Sequence, residues 1–204
     1  MKSANFSINS DERVCILGKT GSGKTFLARR LLKSCKRLLI LDSKATLTDW
    51  STVTLAPSSE GVFDIADYAD KEGNFRLRLV DMQFDMQTIE YFYSLGDTTI
   101  YIDESYSVFS PSRKRSELEP ILRALTRGRE RGIGVWVSSQ RPAWMSTYVL
   151  TEAEHFFVFR LTDESDRTRV SKSIHEDMYQ KTRDRHGFFY YDVYDDRPTY
   201  FQKI

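Results

Sequence analysis

The clearest chemical signal in the sequence is one short glycine-rich stretch. It fits G-x-x-x-x-G-K-[ST], the pattern of a phosphate-binding loop, and consists of Gly18, Lys19, Thr20, Gly21, Ser22, Gly23, Lys24 and Thr25. The glycines allow backbone angles that turn successive N–H groups towards an anion. Lys24 is then expected to bridge the β- and γ-phosphates of ATP, and the Thr25 hydroxyl to hold Mg²⁺. We therefore predict ATP and Mg²⁺ as cofactors and all eight residues as nucleotide ligands.

Two adjacent carboxylates form the second candidate feature. The apolar run from Thr99 to Ile102 ends in Asp103 and Glu104. A carboxylate at the end of such a strand commonly holds Mg²⁺ in nucleotide-hydrolysing proteins, which predicts a metal role for Asp103. Glu104 is placed to take a proton from an attacking water, as a general base does. The competing interpretation is a strand that ends in a solvated acidic pair.

A third apolar run leads to a candidate sensor of the nucleotide. Gly134–Ser139 is followed by Gln140, and Pro142 ends the run because proline interrupts a strand. If this strand lies between those that end at residues 17 and 103, Gln140 points at the γ-phosphate or its water. A neutral amide can sense that phosphate without neutralising it. The alternative is that Gln140 only caps a strand.

Basic residues are concentrated between residues 113 and 131. Seven Lys and Arg stand against three Glu there, a local charge of 7 − 3 = +4 in a chain of net charge +1. Arginine suits phosphate because its fork is planar and permanently charged. Three interpretations compete: an arginine that reaches a neighbouring subunit's nucleotide, a set of contacts to DNA phosphates, and a solvated helix face.

Particular residues are assigned to the first two interpretations. Arg127, Arg129 and Arg131 alternate just before the Gln140 run, and one or more of them could be the arginine that acts on a neighbour. The loop Arg113-Lys114-Arg115, flanked by Ser and Pro, is the candidate DNA-binding segment.

Strand and helix patterns alternate along the chain. Short apolar runs predict strands at 13–17, 37–42, 75–81, 98–103, 132–139 and 155–161. Amphipathic spacing predicts helices at 25–36, 86–95, 117–131, 163–173 and 176–181. Residues 188–193 and 199–201 are expected to pair as a terminal hairpin, and residues 43–74 give no clear prediction.

This alternation predicts an α/β fold. We expect a mainly parallel central sheet with helices on both faces and an antiparallel hairpin at the C-terminus. The 204 residues fit one domain, so residues 1–204 are predicted to form a single P-loop ATPase domain.

Composition narrows the class of protein. With 30 Lys+Arg against 29 Asp+Glu, the chain is neither a globally basic nucleic-acid coat protein nor an acidic tail protein. Cys15 and Cys35 give no disulfide framework, and the cysteines and three histidines have no metal-ligand spacing. No run of 18 apolar residues and no signal peptide are present, so we expect an intracellular protein without a transmembrane segment.

Taken together, these motifs resemble the HerA/FtsK superfamily of DNA-pumping ATPases. The resemblance rests on the phosphate loop, on residues 39–44, on the acidic pair, on the run from Arg127 to Pro142, and on residues 163–168. It covers about residues 12–173. Within that superfamily, the size and motifs are similar to those of the genome-packaging NTPases of archaeal turreted icosahedral viruses.

The resemblance implies an ATPase of the additional-strand (ASCE/RecA-like) P-loop type. Such a motor hydrolyses ATP to translocate double-stranded DNA into a viral capsid, as a homo-oligomeric ring, with a hexamer favoured. The family pattern assigns Mg²⁺ to Asp103, the base to Glu104 and the sensor to Gln140. No arginine aligns uniquely with the family's arginine finger; Arg129 and Arg131 are the preferred candidates, ahead of Arg127 and Arg167. It implies capsid or internal-membrane vertex proteins as partners, in the cytoplasm of the infected host cell or at the packaging vertex of the virion.

Other functions stay open on the residues alone. A HerA-like DNA helicase or a conjugation pump shares every motif. A small-molecule kinase is a further possibility, although the adjacent Asp103 and Glu104 favour water as the acceptor. A binding module that uses ATP only as a switch would have no need of Glu104. Phosphate release without an added acceptor would discriminate against the last two.

Overall fold

The computed structural model describes residues 6–48, 50, 52–55, 72–77, 82–109 and 113–203. The strands in this part of the chain are β1 (Arg13–Leu17), β2 (Arg37–Asp42), β3 (Val53–Leu55), β4 (Gly73–Leu77), β5 (Thr99–Asp103), β6 (Gly134–Ser139), β7 (His155–Phe159), β8 (Phe188–Asp192) and β9 (Thr199–Phe201). The α-helices are α1 (Lys24–Leu31), α2 (Met82–Leu95), α3 (Glu119–Arg127), α4 (Thr147–Glu152) and α5 (Glu164–Ser173).

All of these strands join one sheet in the order β3-β4-β2-β5-β6-β1-β7-β8-β9. Neighbours from β3 to β7 are parallel, whereas β8 pairs antiparallel with both β7 and β9. The predicted α/β fold with a mainly parallel sheet and a C-terminal antiparallel hairpin is thus confirmed.

Helices cover both faces of the sheet because its central strands are apolar on both sides. Along β1, Cys15 and Leu17 belong to one buried cluster, and Val14 and Ile16 belong to another. Buried residues of α2, α3, α4 and α5 join the first cluster, and those of α1 join the second. The two clusters therefore form cores on opposite faces of the sheet.

The predicted helix at 117–131 is shorter in the structure. Its central part is α3, with 3-10 turns at Arg115–Leu118 and Gly128–Arg131 on either side. A side chain at Gly128 would lie within 2.9 Å of the carbonyl oxygen of Ile133, so the chain is packed tightly where the helix ends. Gly132, with φ +69°, then turns the chain into β6, which begins at Gly134 instead of Gly132.

Other elements also begin or end at residues different from those predicted. The helix after the phosphate loop ends at Leu31 and continues only as a 3-10 turn, and residues 176–179 are likewise a 3-10 turn. β4 ends at Leu77, and residues 78–81 of the predicted strand lie outside the described residues. The short elements β3 and α4 were not predicted.

The strand order places the candidate functional residues at one edge. β6 lies between β1 and β5, as the prediction for Gln140 required. Because parallel strands end on the same side, the carboxyl ends of β1, β2, β5 and β6 share this edge. Among the described helices, none has the length and apolar character needed to cross a membrane.

Candidate nucleotide-binding site

The phosphate loop connects the end of β1 to the start of α1. The Gly18 N–H donates to the Ser139 carbonyl (3.1 Å), and the Lys19 N–H donates to the Arg160 carbonyl (3.0 Å). These bonds tie the loop to the chain at the ends of β6 and β7. Gly18 has φ +150°, and a Cβ there would lie 2.6 Å from the Cβ of Phe159. Glycine is therefore required at this position by both backbone angle and space.

Lys24 is buried beneath the loop. Its Nζ donates to the carbonyl oxygens of Gly18 (2.7 Å) and Lys19 (3.2 Å). Burial lowers the pKa of Lys24 to about 8, against the opposing effect of the carboxylates of Glu104 and Asp103. The ammonium of Lys24 thus lies close to both the loop and the acidic pair. A bound phosphate there would add negative charge that stabilises the ammonium.

Asp103 ends β5 with its side chain directed towards β6. Its Oδ1 accepts hydrogen bonds from Ser138 Oγ (2.9 Å) and from the Tyr101 hydroxyl (3.2 Å). Burial raises the pKa of Asp103, and the Ser138 hydrogen bond acts in the opposite direction. The carboxylate is held by neutral hydroxyls, which leaves its charge available to a cation.

Glu104 lies across the ends of β5 and β6. Its backbone has φ +61°, a left-handed conformation that non-glycine residues rarely adopt and that is typical of functional sites. Its buried side chain accepts, at Oε1, hydrogen bonds from Gln140 N (2.9 Å) and Ser139 Oγ (3.2 Å). At Oε2 it accepts one from Lys44 Nζ (2.9 Å). Glu104 is therefore oriented from three directions.

Gln140, just after β6, connects the end of that strand to the phosphate loop. Its side-chain Oε1 accepts a hydrogen bond from Thr20 Oγ1 (2.5 Å), while its backbone N–H bonds to Glu104. Thr25 is exposed in the first turn of α1, so its hydroxyl is accessible to a ligand. The structure thus brings the predicted loop, acidic and sensor residues to one edge of the sheet.

Residues that the sequence prediction did not assign also contribute to this site. Lys44 follows β2, and Ser138 and Ser139 end β6. Each bonds to Glu104 or Asp103. The signal for all three is their position just after or at the end of an apolar strand, since parallel strands bring such ends together.

The candidate arginines lie elsewhere in the subunit. Arg129 precedes β6 and pairs with Glu154, which precedes β7, and Glu12, which precedes β1. Arg131 donates to the carbonyl oxygens of Tyr93 (3.1 Å) and Ser94 (2.7 Å). Both arginines are at the amino edge of the sheet, opposite the phosphate loop of their own subunit.

The remaining basic candidates are exposed, apart from Arg113 and Arg167, which are half-buried. Arg115 donates to the Tyr148 hydroxyl (2.9 Å), and its guanidinium lies over the Tyr148 ring. Lys114 and Arg127 are exposed, and Arg167 donates to the Thr162 carbonyl (2.8 Å). None of these contacts joins them to the phosphate loop.

The donor set fits Mg²⁺, which prefers oxygen ligands and retains several waters. Thr25 would supply a hydroxyl, and Asp103 a carboxylate at the facing strand end. Together, the parallel sheet with β6 between β1 and β5, the phosphate loop and the acidic pair define a P-loop NTPase of the additional-strand type.

Relatives of known function agree with this class. The chain is 30% identical over 180 residues to the DNA packaging ATPase P9 of Enterobacteria phage PRD1, an alignment that covers 83% of this chain and 73% of P9. No protein-family model matches the chain. At this identity and coverage the chain belongs to the family of DNA packaging ATPases that includes P9.

Solved structures share the fold. The genome packaging NTPase B204 of Sulfolobus turreted icosahedral virus 2, in complex with AMPPCP, superimposes with a TM-score of 0.77 at 22% identity, covering 97% of this chain and 100% of B204. EssC (ATPases 2 and 3) of Geobacillus thermodenitrificans gives a TM-score of 0.60 at 14% identity, covering 94% of this chain and 39% of EssC.

Proposed function

We propose that this protein hydrolyses ATP and uses the energy to move double-stranded DNA into a viral capsid. The observation that carries the proposal is the position of Glu104, which is held by Ser139 and Gln140 at the strand edge beside the phosphate loop. Membership of the packaging ATPase family supports the choice of viral DNA as the cargo. A HerA-like helicase shares the site chemistry but lacks this family support.

In the proposed reaction, the loop N–H groups and Lys24 bind the phosphates of ATP. Thr25 and, through water, Asp103 would hold Mg²⁺, which supplies charge stabilisation to the transferring phosphoryl group. Glu104 orients the attacking water and takes its proton. Gln140 senses loss of the γ-phosphate, and its hydrogen bond to Thr20 passes the change to the loop. We expect strand β6 and the basic segment before it to transmit the change to DNA.

The reaction further needs a neighbouring subunit. Arg129 at the opposite edge of the sheet would complete the site of the next subunit in a ring, for which we propose a hexamer. A cation supplied in this way stabilises charge in the transition state. Arg113, Lys114 and Arg115 remain the proposed DNA contacts, and the joining of all described strands in one sheet supports a single ATPase domain over residues 1–204.

The expected setting is the infected host cell or the packaging vertex of the virion. There the ring would contact capsid or internal-membrane vertex proteins while it pumps DNA. A small-molecule kinase is less well supported, because the family relationship is to DNA packaging ATPases.

The test is phosphate release from ATP by the wild type and by Glu104→Gln, each with and without double-stranded DNA. We expect Glu104→Gln to lose about 10²- to 10⁴-fold in rate, as for removal of a general base. Glu176→Gln, an exposed residue of the 3-10 turn at 176–179, is the matched control. Activity in the wild type that persists undiminished in Glu104→Gln would refute the assigned base, and hydrolysis that DNA never stimulates would contradict the motor.

A further inference from the structure

The turn between β8 and β9 exposes an aromatic side chain that the roles described above do not use. Tyr194 is 85% exposed, and Val193 before it is 40% exposed. Residues 192–197, here called the hairpin tip, carry three aspartates against one arginine, an excess of two negative charges. The hairpin tip thus combines an unburied aromatic ring with an acidic surface.

The hairpin tip lies at the amino edge of the sheet, next to Arg129. Asp192 at the end of β8 pairs with His155, the first residue of β7, which places the tip at this edge. The Val193 N–H donates to the Glu154 carbonyl (3.0 Å). The carboxylate of the same Glu154 pairs with Arg129. The tip and Arg129 are therefore held together by one residue.

The outward side of α1 carries the opposite charge. Phe26, Arg30 and Lys33 follow one another at i, i+4 and i+7, so they share one side of the helix and of the 3-10 turn after it. All three are exposed, Phe26 by 63%, and we call them the α1 stripe. Residues 18–41 contain seven Lys and Arg and no Asp or Glu. The α1 stripe is thus cationic, with an exposed aromatic ring where it begins beside the phosphate loop.

The hairpin tip is at the opposite end of the strands from the start of the α1 stripe in its own subunit. The tip is at the amino edge and Phe26 at the carboxyl edge, and a five-residue strand spans about 16 Å between them. A contact between the two surfaces would therefore join two copies head to tail, the arrangement that generates a ring when its rotation closes. It would also bring the amino edge of one copy, with Arg129, towards the carboxyl edge of the next.

We propose that the hairpin tip of one subunit docks on the α1 stripe of a second copy of this chain. This inference rests on the proposed function, in which Arg129 completes a neighbour's site, and it names the surfaces that hold the neighbours together. Tyr194 packs against Phe26, and the two aspartates that follow Tyr194 face the cations of the stripe. The acidic tip is unsuited to DNA, whereas it is complementary in charge to the stripe.

The experiment reverses the charge of each surface and measures the oligomeric state by sedimentation velocity, at low salt with an ATP analogue bound. One variant combines Asp195→Lys with Asp196→Lys, and the other combines Arg30→Glu with Lys33→Glu. We expect each to raise the dissociation constant between subunits at least about tenfold, because like charges then face each other. Mixing the two variants restores assembly, since each reversed surface then meets an opposite charge on the other chain.

Two single substitutions complete the set. Tyr194→Ala tests the aromatic contact and should raise the same dissociation constant about three- to tenfold. Lys172→Glu, an exposed lysine of α5 on the other face of the sheet, is the control and should assemble like the wild type. Thermal unfolding verifies that each variant is folded.

Several results would overturn the docking. Reversed variants that assemble like the wild type would do so, as would a mixture that stays dissociated or a wild type that never assembles. A stripe variant that loses binding of double-stranded DNA but still assembles would make the α1 stripe a DNA surface instead. Assembly is measured without hydrolysis, so a wild type that forms the ring through these surfaces but does not hydrolyse ATP supports the docking and contradicts the proposed function.

Discussion

The two edges of the sheet both carry clusters of charged side chains, but they compensate these charges differently. At the carboxyl edge, Lys24 bonds to backbone carbonyls, and Asp103 bonds to the hydroxyls of Ser138 and Tyr101. At the amino edge, Arg129 pairs directly with the carboxylates of Glu154 and Glu12. Dipoles orient Lys24 and Asp103 at the first edge, although Glu104 there pairs with Lys44, whereas opposite charges neutralise each other around Arg129 at the second.

This difference separates a ligand site from a paired surface. A charge that is held by dipoles keeps its field and can still act on phosphate or Mg²⁺. The ion pair of Arg129 is different, because the arginine side chain is 51% exposed and solvent screens such pairs strongly. Breaking it costs little, so Arg129 is available to a stronger anion. The carboxyl edge therefore carries the candidate ATP site within one subunit, whereas the role proposed for the amino edge would require a second copy of the chain.

The largest expected effect comes from removing the arginine that would act between subunits. We predict that Arg129→Ala lowers the rate of ATP hydrolysis by about 10³-fold or more, as for loss of an arginine finger, while nucleotide binding and thermal stability stay near the wild type. Arg131→Ala should mainly lower Tm, since Arg131 bonds to the backbone at the end of α2. Phosphate release and thermal unfolding, measured on both variants, distinguish the two candidates.

Mixing variants tests whether the arginine acts on a neighbour. Glu104→Gln retains Arg129, and Arg129→Ala retains Glu104, so mixed rings contain some interfaces with both groups. Partial recovery of hydrolysis on mixing is the expected result. If the mixture stays as inactive as its components while mixed rings form, Arg129 does not act across the interface, and the amino edge is only a paired surface.

The carboxyl edge could be predicted from sequence because its chemistry is local. The glycine spacing of residues 18–25 and the acidic pair after an apolar run are each contained within a few consecutive residues, so both can be recognised from the sequence alone. Lys44 could not be assigned in the same way, since a lysine after a strand resembles any surface lysine. Only the adjacency of β2 and β5 places it beside Glu104.

The amino edge and the short elements depend on tertiary structure instead. Arg129, Glu154 and Glu12 are distant in the sequence and meet only because β6, β1 and β7 are neighbours. β3 and α4 are too short for their periodicity to be recognised, and their stability comes from burial of Leu55 in one and Val149 in the other. Residues 56–71, which carry no clear strand or helix pattern, lie outside the described residues.

Two glycines, one at each edge of the sheet, allow the two edges to be compared by substitution. Gly18 is at the carboxyl edge, and a Cβ there would meet Phe159; Gly134 is at the amino edge, and a Cβ there would meet the Ser10 carbonyl. Alanine at either position should destabilise the protein by about 1–3 kcal/mol through overpacking. At this chain length that corresponds to about 2–12 °C in Tm. Only Gly18→Ala should also weaken nucleotide binding, and equal losses of affinity in both variants would contradict a ligand site confined to one edge.

The smallest predicted effect is a pH dependence that only the carboxyl edge should show. Burial lowers the pKa of Lys24 to about 8 in the nucleotide-free protein, whereas the Glu154 carboxylate raises that of Arg129. The phosphates of ATP require the ammonium form of Lys24. The affinity for ATP should therefore be highest below the pKa of Lys24 and should fall as the pH rises through that pKa.

The size of this effect follows from proton linkage. Between pH 7 and pH 9 the dissociation constant for ATP should increase by up to about tenfold, and binding at pH 9 should be accompanied by proton uptake. Calorimetry in buffers of different ionisation enthalpy measures both quantities. Lys24→Arg is the control, because a guanidinium stays charged over this range and should flatten the dependence. An affinity in the wild type that stays constant to pH 9 would mean that Asp103 and Glu104 outweigh burial and keep Lys24 charged before ATP arrives.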